Sequence, residues 1–208
     1  PGEKITVCSC GTDYFCEISS ITEDTVFLNI KEQKLCSAEP SVDLTLFQAI
    51  PKQDKLEHII QKSVELGVSK IVPVLTRRCV SRPDKKDFEK KLVRLNKIAL
   101  EAAKQSGRGI IPTVEPMISF DEAIIQMKEY DCPAMLYEEG GIRFSELNTQ
   151  EKKSFALFVG SEGGFDESEA EAAREAGIAS IWLGERILRC ETAPLTAISI
   201  LMFITKNL

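Results

Sequence analysis

A chain of 208 residues with 43% hydrophobic and 28% charged residues can bury the core of one domain or one and a half, which excludes disordered and fibrous classes. Its formal net charge of −6 has the wrong sign for uniform attraction to a polyanion, so contact with nucleic acid would depend on local clusters of Lys and Arg. No signal-peptide pattern is visible, and "AISILMFI" near the C-terminus is too short to span a bilayer, so no membrane partner is expected.

Residues 1–40 alternate in the β manner: Ile5 and Val7, then Tyr14, Cys16 and Ile18, then Val26, Leu28 and Ile30, with turn signals at "CGTD" and "TED". They predict a small antiparallel unit, bounded near "SAEPSVD", where Pro40 and polar residues interrupt the pattern. From residue 41 to 208 the rhythm changes. "LTLFQAI" reads as a strand, and Leu56, Ile59, Ile60, Ser63 and Val64 give a helix stopped by Gly67. "KIVPVLT" predicts a strand, residues 85–106 a long helix, "GIIPTV" a strand, 119–129 a helix and "CPAMLY" a strand. "FALFV" and "ASIWL" predict two more strands, each followed by a loop and a helix. Apolar strands alternating with helices indicate an α/β fold with a parallel sheet covered on both faces.

Seven cysteines, an odd number spread along the chain, suggest reduced thiols and a cytoplasmic compartment. Cys8, Cys10, Cys16 and Cys36 lie in the first forty residues but lack paired C-x-x-C spacing, so no metal site is expected. The single histidine, His58, faces away from the apolar stripe of its helix and has no partner for a metal site or a Ser-His triad. Arg77, Arg78, Arg82, Lys85 and Lys86 crowd into ten residues, and Lys90, Lys91, Arg94 and Lys97 continue along a helix. Such runs are either a solvated face or a phosphate-contacting patch.

The two loops at strand ends carry the ligand signal. The first contains Gly160, Ser161, Glu162, Gly163 and Gly164, and the second runs from Gly184 through "ERILRCETAP". Glycines beyond the carboxyl ends of strands let backbone amides approach a ligand closely. Neither a Lys-Ser/Thr phosphate loop nor G-x-G-x-x-G is present. The following helix instead opens with Asp166 and Glu169, spaced as a capping box that places carboxylates at its positive end. That end repels phosphate and tolerates a cation such as S-adenosylmethionine, which carries a sulfonium and an ammonium.

"VGSEGGF" followed by "LGERILRCETA" resembles the paired signature of the 16S ribosomal RNA uridine N3-methyltransferases of the RsmE type, in the SPOUT superfamily. "KLEHIIQKSVELGVSKIVPVLTRRCV" and "EAAKQSGRGIIPTVEP" match that family's earlier blocks, so the resemblance covers nearly the whole chain. It departs at Ser161, where the family has Pro, and at Cys190, where it has Thr. Relative to the family the chain opens at Pro1, without an initiator Met and without the segment that begins a small β-barrel.

The resemblance implies a SPOUT parallel sheet with a C-terminal trefoil knot (residues 41–208), preceded by a partial PUA-like, RNA-binding barrel (residues 1–40). It also implies a homodimer acting in the cytoplasm on small-subunit ribosomal RNA or the assembled small subunit. For S-adenosylmethionine the expected contacts are Leu136, Gly160, Ser161, Glu162, Gly163, Gly164, Leu183, Gly184, Ile187, Leu188, Arg189, Thr192 and Ala193. Arg189 and Glu191 are the candidate catalytic groups. Arg77, Arg78, Arg82, Lys85, Gln105, Arg108 and Arg186 are candidate RNA contacts, with helix capping an equal reading for Gln105 and Arg108. Two alternatives remain at this level: a SPOUT enzyme acting on another nucleotide or RNA, and a noncatalytic RNA-binding module.

Overall fold

The structure, a computed structural model, describes residues 1–208. It opens with an antiparallel sheet in the order β1 (Lys4–Ser9), β2 (Thr12–Ile21), β3 (Val26–Leu35). Cys10 and Gly11 close the first hairpin with φ of 48° and 75°. Two consecutive positive φ values suit the right-handed twist of the flanking strands, which explains glycine at the second position. Register shifts between Phe15 and Cys16 and between Ile18 and Ser20 bend β2.

The α/β portion follows as β4 (Asp43–Ala49), α1 (Lys55–Glu65), β5 (Lys70–Leu75), α2 (Lys85–Gln105), β6 (Thr113–Val114), β7 (Ile118–Ser119) and α3 (Phe120–Met127). It continues with β8 (Cys132–Leu136), a 3₁₀ turn at Phe144–Glu146, β9 (Ser154–Val159), α4 (Glu167–Glu175), β10 (Ala179–Ile181) and α5 (Thr192–Ile204). The strands are ordered β10-β8-β9-β4-β5-β6, with β7 also on β5, and every pairing is parallel. β9 shows why its sequence is apolar throughout. Phe155, Leu157 and Val159 join the core beneath α1, α2 and α5, whereas Ala156 and Phe158 join the core beneath α3 and α4. Phe158 lies at the centre of that second layer, 4.8 Å from the Phe165 ring and 5.7 Å from that of Phe120. Burying each such ring contributes about 1.5–3 kcal/mol.

Local signals set the helix starts. Ser119 and Glu122 form a reciprocal cap on α3, and Asp84 accepts from the Asp87 amide at the start of α2. Two expected strands are shorter than their apolar runs. In "GIIPTV" only Thr113 and Val114 pair, because Pro112 has no amide to donate and Ile110 and Ile111 point largely to solvent. In "ASIWL" pairing ends at Ile181, and Trp182 and Leu183 turn into the following loop.

β10 is held on both edges by one stretch of chain. β8 pairs it on one side, and the Tyr137 amide donates to Ile181 at 3.0 Å. On the other side the Ile142 amide donates to Ser180 (2.9 Å), and the Trp182 amide donates back to Ile142 (2.9 Å). Residues 137–142 therefore wrap around β10. Gly141 makes the passage possible: its φ is 145°, and a Cβ there would collide with the Ser180 carbonyl.

The two sheets are tied together by a buried ion pair. Glu39, between β3 and β4, accepts from Arg108 Nη2 at 2.8 Å and from the amides of Gly109 (2.7 Å) and Ile110 (3.0 Å). Arg108 Nη1 donates to the carbonyls of Val68 (2.6 Å) and Val64 (3.3 Å). The Arg108 side chain is only 3% exposed. Its expected role at an RNA surface is therefore corrected: every polar end of this guanidinium is directed into the protein.

Candidate functional site

Because β8, β9 and β10 are parallel neighbours, their carboxyl ends at Leu136, Val159 and Ile181 emerge at one edge. The three loops that follow enclose a cavity of about 680 Å³, within the range that takes a cofactor-sized molecule. Its apolar wall comes from Leu136, Val159, Ile181, Leu183, Ile187, Leu188 and Ala193, and its charged wall from Glu138, Glu139, Glu162 and Glu185 with Lys55, Arg186 and Arg189. Four carboxylates face three cationic side chains there, and Lys55 neutralises Glu162, so the small negative excess rests on Glu138, Glu139 and Glu185, a donor set that fits a cationic sulfonium and ammonium better than a polyphosphate.

Each glycine of the first loop has a distinct reason. Residues 161–164 form a tight turn closed by the Gly164 amide on the Ser161 carbonyl at 3.0 Å. Gly164 has φ of 65°, and a Cβ there would strike the Glu138 carboxylate. A Cβ on Gly160 would come within 3.1 Å of Gly164. Gly184, with φ of 109°, has open space where a Cβ would stand. Gly163 departs from expectation. It does not line the cavity; its bare face packs on Arg78, whose Cβ would lie 3.0 Å from an added methyl.

The loops are joined by a residue that the motif reading missed. Lys55, the first residue of α1, places its ammonium 3.0 Å from Glu162 and 3.2 Å from Glu191, reaching one carboxylate from each glycine loop. A cation at the positive end of a helix is unfavourable, so its position there depends on those carboxylates. Hydrogen bonding to Glu162 comes first among the causes that raise its pKa. Burial works against ionisation of Glu162, yet its own backbone amide, Lys55 and the Lys52 amide together hold its carboxyl below the usual range. Cys190 donates its thiol to Glu191 at 3.2 Å. Burial first, then the Glu191 carboxylate, pushes that thiol up to about 12, so Cys190 is a buried donor and no nucleophile.

That arrangement corrects the reading of Glu191. Its carboxylate, lowered first by the Cys190 thiol and further by Lys55, is a weak proton acceptor, and it lies outside the cavity wall. Thr192 is corrected too. It is the first residue of α5, exposed and outside the cavity, while Glu191 occupies the cap position. The other expected cofactor residues, Leu136, Gly160, Ser161, Glu162, Gly164, Leu183, Gly184, Ile187, Leu188, Arg189 and Ala193, all lie on the cavity wall. So does Arg186, expected from the sequence to contact RNA, together with Tyr137 and Trp182, for which strand-end position was the available signal, and Phe165, which follows the first glycine loop.

The basic loop after β5 abuts this site. Arg77 donates its amide to buried Glu169 at 2.8 Å, Arg78 Nη1 donates to the Gly163 carbonyl at 3.2 Å, and Ser161 Oγ donates to the Arg78 carbonyl at 3.4 Å. Glu169 also completes the α4 cap by accepting from the Asp166 amide at 3.0 Å; Asp166 itself accepts from Ser168, two residues on. Asp166 forms ion pairs with both arginines. Arg82 Nη1 donates to the carbonyl of Thr76 at 2.9 Å, so it shapes the loop from within. Lys85 and Gln105 are exposed, and Gln105 lies on the last turn of α2, outside the cavity.

Comparison with known proteins is consistent with this geometry. A family model described as an RNA methyltransferase domain matches residues 38–202. Ribosomal RNA small subunit methyltransferase E of Bacillus subtilis is 36% identical, over 100% of this chain and 84% of that protein. A crystal structure of a ribosomal RNA small subunit methyltransferase E from Neisseria gonorrhoeae bound to S-adenosyl methionine superposes with a TM-score of 0.87 at 32% identity, covering 98% of this chain and 84% of that one. A Legionella pneumophila methyltransferase in complex with the same cofactor gives a TM-score of 0.85 at 30% identity, covering 98% of this chain and 84% of that one.

Proposed function

We infer the reaction from the family to which this chain belongs, the RNA methyltransferases related to ribosomal RNA small subunit methyltransferase E: it transfers a methyl group from S-adenosylmethionine to small-subunit ribosomal RNA, and the atom modified is N3 of a uridine. The observation that carries this reading is the glycine-bordered, carboxylate-lined cavity at the ends of β8, β9 and β10. S-adenosylmethionine, when bound, supplies a methyl group activated by the sulfonium. Leu136, Leu183 and Leu188 would hold its apolar adenosine portion, while Glu138 and Glu139 would provide negative charge for its cationic end.

Methyl transfer is an in-line displacement, so the protein's main task is alignment. The uridine N3 proton passes to solvent water as N3 takes the methyl group, and the base must leave any stack to reach the cavity. With Glu191 committed to Lys55, the group suited to stabilise the negative charge spreading onto the uracil oxygens is Arg189, exposed on the cavity rim. Arg189→Ala should leave cofactor affinity within a few-fold in calorimetry and lower single-turnover methylation about 10²–10³-fold. Weakened cofactor binding with methylation intact would refute that role.

Arg77, Arg78, Lys85 and Arg186 contact the RNA backbone near the site in this reading, with Arg82 shaping their loop. Residues 1–40, with the three-stranded sheet, form the RNA-binding unit, of PUA-like type, and residues 41–208 the methyltransferase unit. The wrapping of residues 137–142 around β10 supports threading of the chain into a C-terminal trefoil knot. The apolar composition of α5, with Phe203 exposed, supports a homodimer, which sedimentation at micromolar concentration reads directly. No helix is long and apolar enough to cross a membrane, and the proposed site of action is the cytoplasm.

Incubation with labelled S-adenosylmethionine and small ribosomal subunits from a strain lacking the activity tests the reaction. N3-methyluridine should form at one position and stop reverse transcriptase there. A methyl group on a ribose oxygen, or on transfer RNA alone, would leave the fold reading standing and overturn the substrate.

A further inference from the structure

We propose that Cys8, Asp13 and Cys36 form a binding site for a soft divalent metal ion, zinc by preference, which ties the strand ends of the N-terminal sheet together where they meet the α2–β6 connection. The two cysteines are far apart in sequence, and the folded hairpins bring them together. Cys8 on β1 lies directly opposite Asp13 on β2 in the antiparallel register, so both side chains emerge on one face. Cys36 follows the last residue of β3, and its amide donates to the Gly11 carbonyl at 2.8 Å, which draws its sulfur to the same end of the sheet. The two sulfurs and an Asp13 oxygen all lie within 4.8 Å of one another. A tetrahedral zinc with Zn–S of about 2.3 Å needs ligand separations of roughly 3.8 Å, so small side-chain rotations close the set.

The surroundings fit an ion. Asp13 makes no ion pair in the structure; its carboxylate instead takes the Cys8 thiol proton as a hydrogen bond, a proton that a bound ion would displace. Thiolates with a carboxylate favour zinc over calcium or magnesium, which take oxygen alone. Three protein ligands leave the fourth position for water. The α2–β6 connection covers the cluster at Gly109. A Cβ there would fall 2.8 Å from both the Cys8 sulfur and the Cys36 Cβ, so the sulfurs fit only beneath a glycine. The Gly11 amide donates to the Gly109 carbonyl at 3.0 Å, and the Gly109 amide donates to Glu39 at 2.7 Å. An ion here would tighten the segment through which the small sheet meets the α/β unit. The C-x-x-C criterion overlooked this set because the third ligand is an aspartate on the neighbouring strand.

The test titrates the full, reduced chain with cobalt(II) chloride, then with zinc chloride. One cobalt per chain should bind with a near-ultraviolet thiolate charge-transfer band, and zinc should abolish that band. Cys8→Ser and Cys36→Ser should each remove the band, Asp13→Asn should weaken cobalt affinity at least tenfold, and Cys10→Ser should change neither. Zinc should raise the thermal midpoint of the unaltered chain and of Cys10→Ser, but not of Cys36→Ser. Unchanged S-adenosylmethionine binding in each variant would establish that the variants are folded. Absence of the band in the reduced chain, or its survival in Cys36→Ser, would overturn the proposal. So would a Cys8–Cys36 disulfide that forms in air while the reduced protein ignores cobalt, which would make the pair a redox couple instead.

Discussion

Gly164→Val is expected to abolish S-adenosylmethionine binding while leaving the protein folded. At φ of 65° a β-branched side chain is strained, and its Cβ would meet the Glu138 carboxylate on the cavity wall. The exposed Glu138 carboxylate can swing aside, so the lasting cost is the backbone strain, which is relieved only by moving the turn that borders the site. The unaltered chain should gain roughly 2.7 kcal/mol of stability at about a hundred times the dissociation constant of the cofactor, and Gly164→Val should gain none. Gly163→Ala is the control. Its added methyl meets Arg78 instead of the cavity, so cofactor affinity should persist. Calorimetry on both variants decides the matter: a normal dissociation constant for Gly164→Val would show that the cofactor sits elsewhere.

Breaking the Glu39–Arg108 pair should cost as much stability as truncating a fully buried core side chain. Removing one partner of a buried ion pair costs about 3–5 kcal/mol, a large fraction of the 5–15 kcal/mol that typically holds a domain folded. The two removals should differ. Arg108→Met leaves Glu39 with the amides of Gly109 and Ile110, so its cost should lie near the lower bound. Glu39→Gln removes the counter-charge of a guanidinium that is 3% exposed, although the carbonyls of Val64 and Val68 still accept from it, so its cost should be the larger of the two.

The pair also predicts a pH dependence. Burial pushes the Glu39 carboxyl up, but Arg108 and the two amides outweigh that push and hold it below its ordinary value. Its contribution is therefore fully present above the pKa of an unfolded glutamate, about 4.3, and is lost as pH falls through the lower folded value. Arg108→Met should flatten that acid limb in urea titrations between about pH 5 and 3. A limb of unchanged steepness would mean that other carboxylates set it.

Element identities were legible wherever one physical signal dominated. Continuous apolar runs at "LTLFQAI" and "FALFV" marked strands buried on both faces, and Asp166 with Glu169 marked the start of α4. Signals competed at "GIIPTV" and "ASIWL", where apolarity suggested strands but Pro112 and the turn at Trp182 ended the pairing. In the site, residues within the two glycine loops could be read directly because their neighbours in sequence are also neighbours in the cavity. Gly163 and Thr192 show the limit of that reading: membership of a loop does not decide which way a residue faces.

By itself, then, the sequence determined the periodicities that select strand or helix, the glycines that permit close turns, and the carboxylate-rich loops that favour a cationic ligand. Those properties depend on residues within a few positions of each other. Only the tertiary structure decided that Lys55 bridges Glu162 and Glu191, that Arg108 is buried against Glu39, and that Cys8 and Asp13 meet Cys36. Each of these joins segments that chain topology brings together, and a charge or a thiol has the same local propensity whether its partner is water or a distant residue. Short-range patterns therefore specify the elements, while the roles of long, polar side chains depend on where the sheet order places their partners.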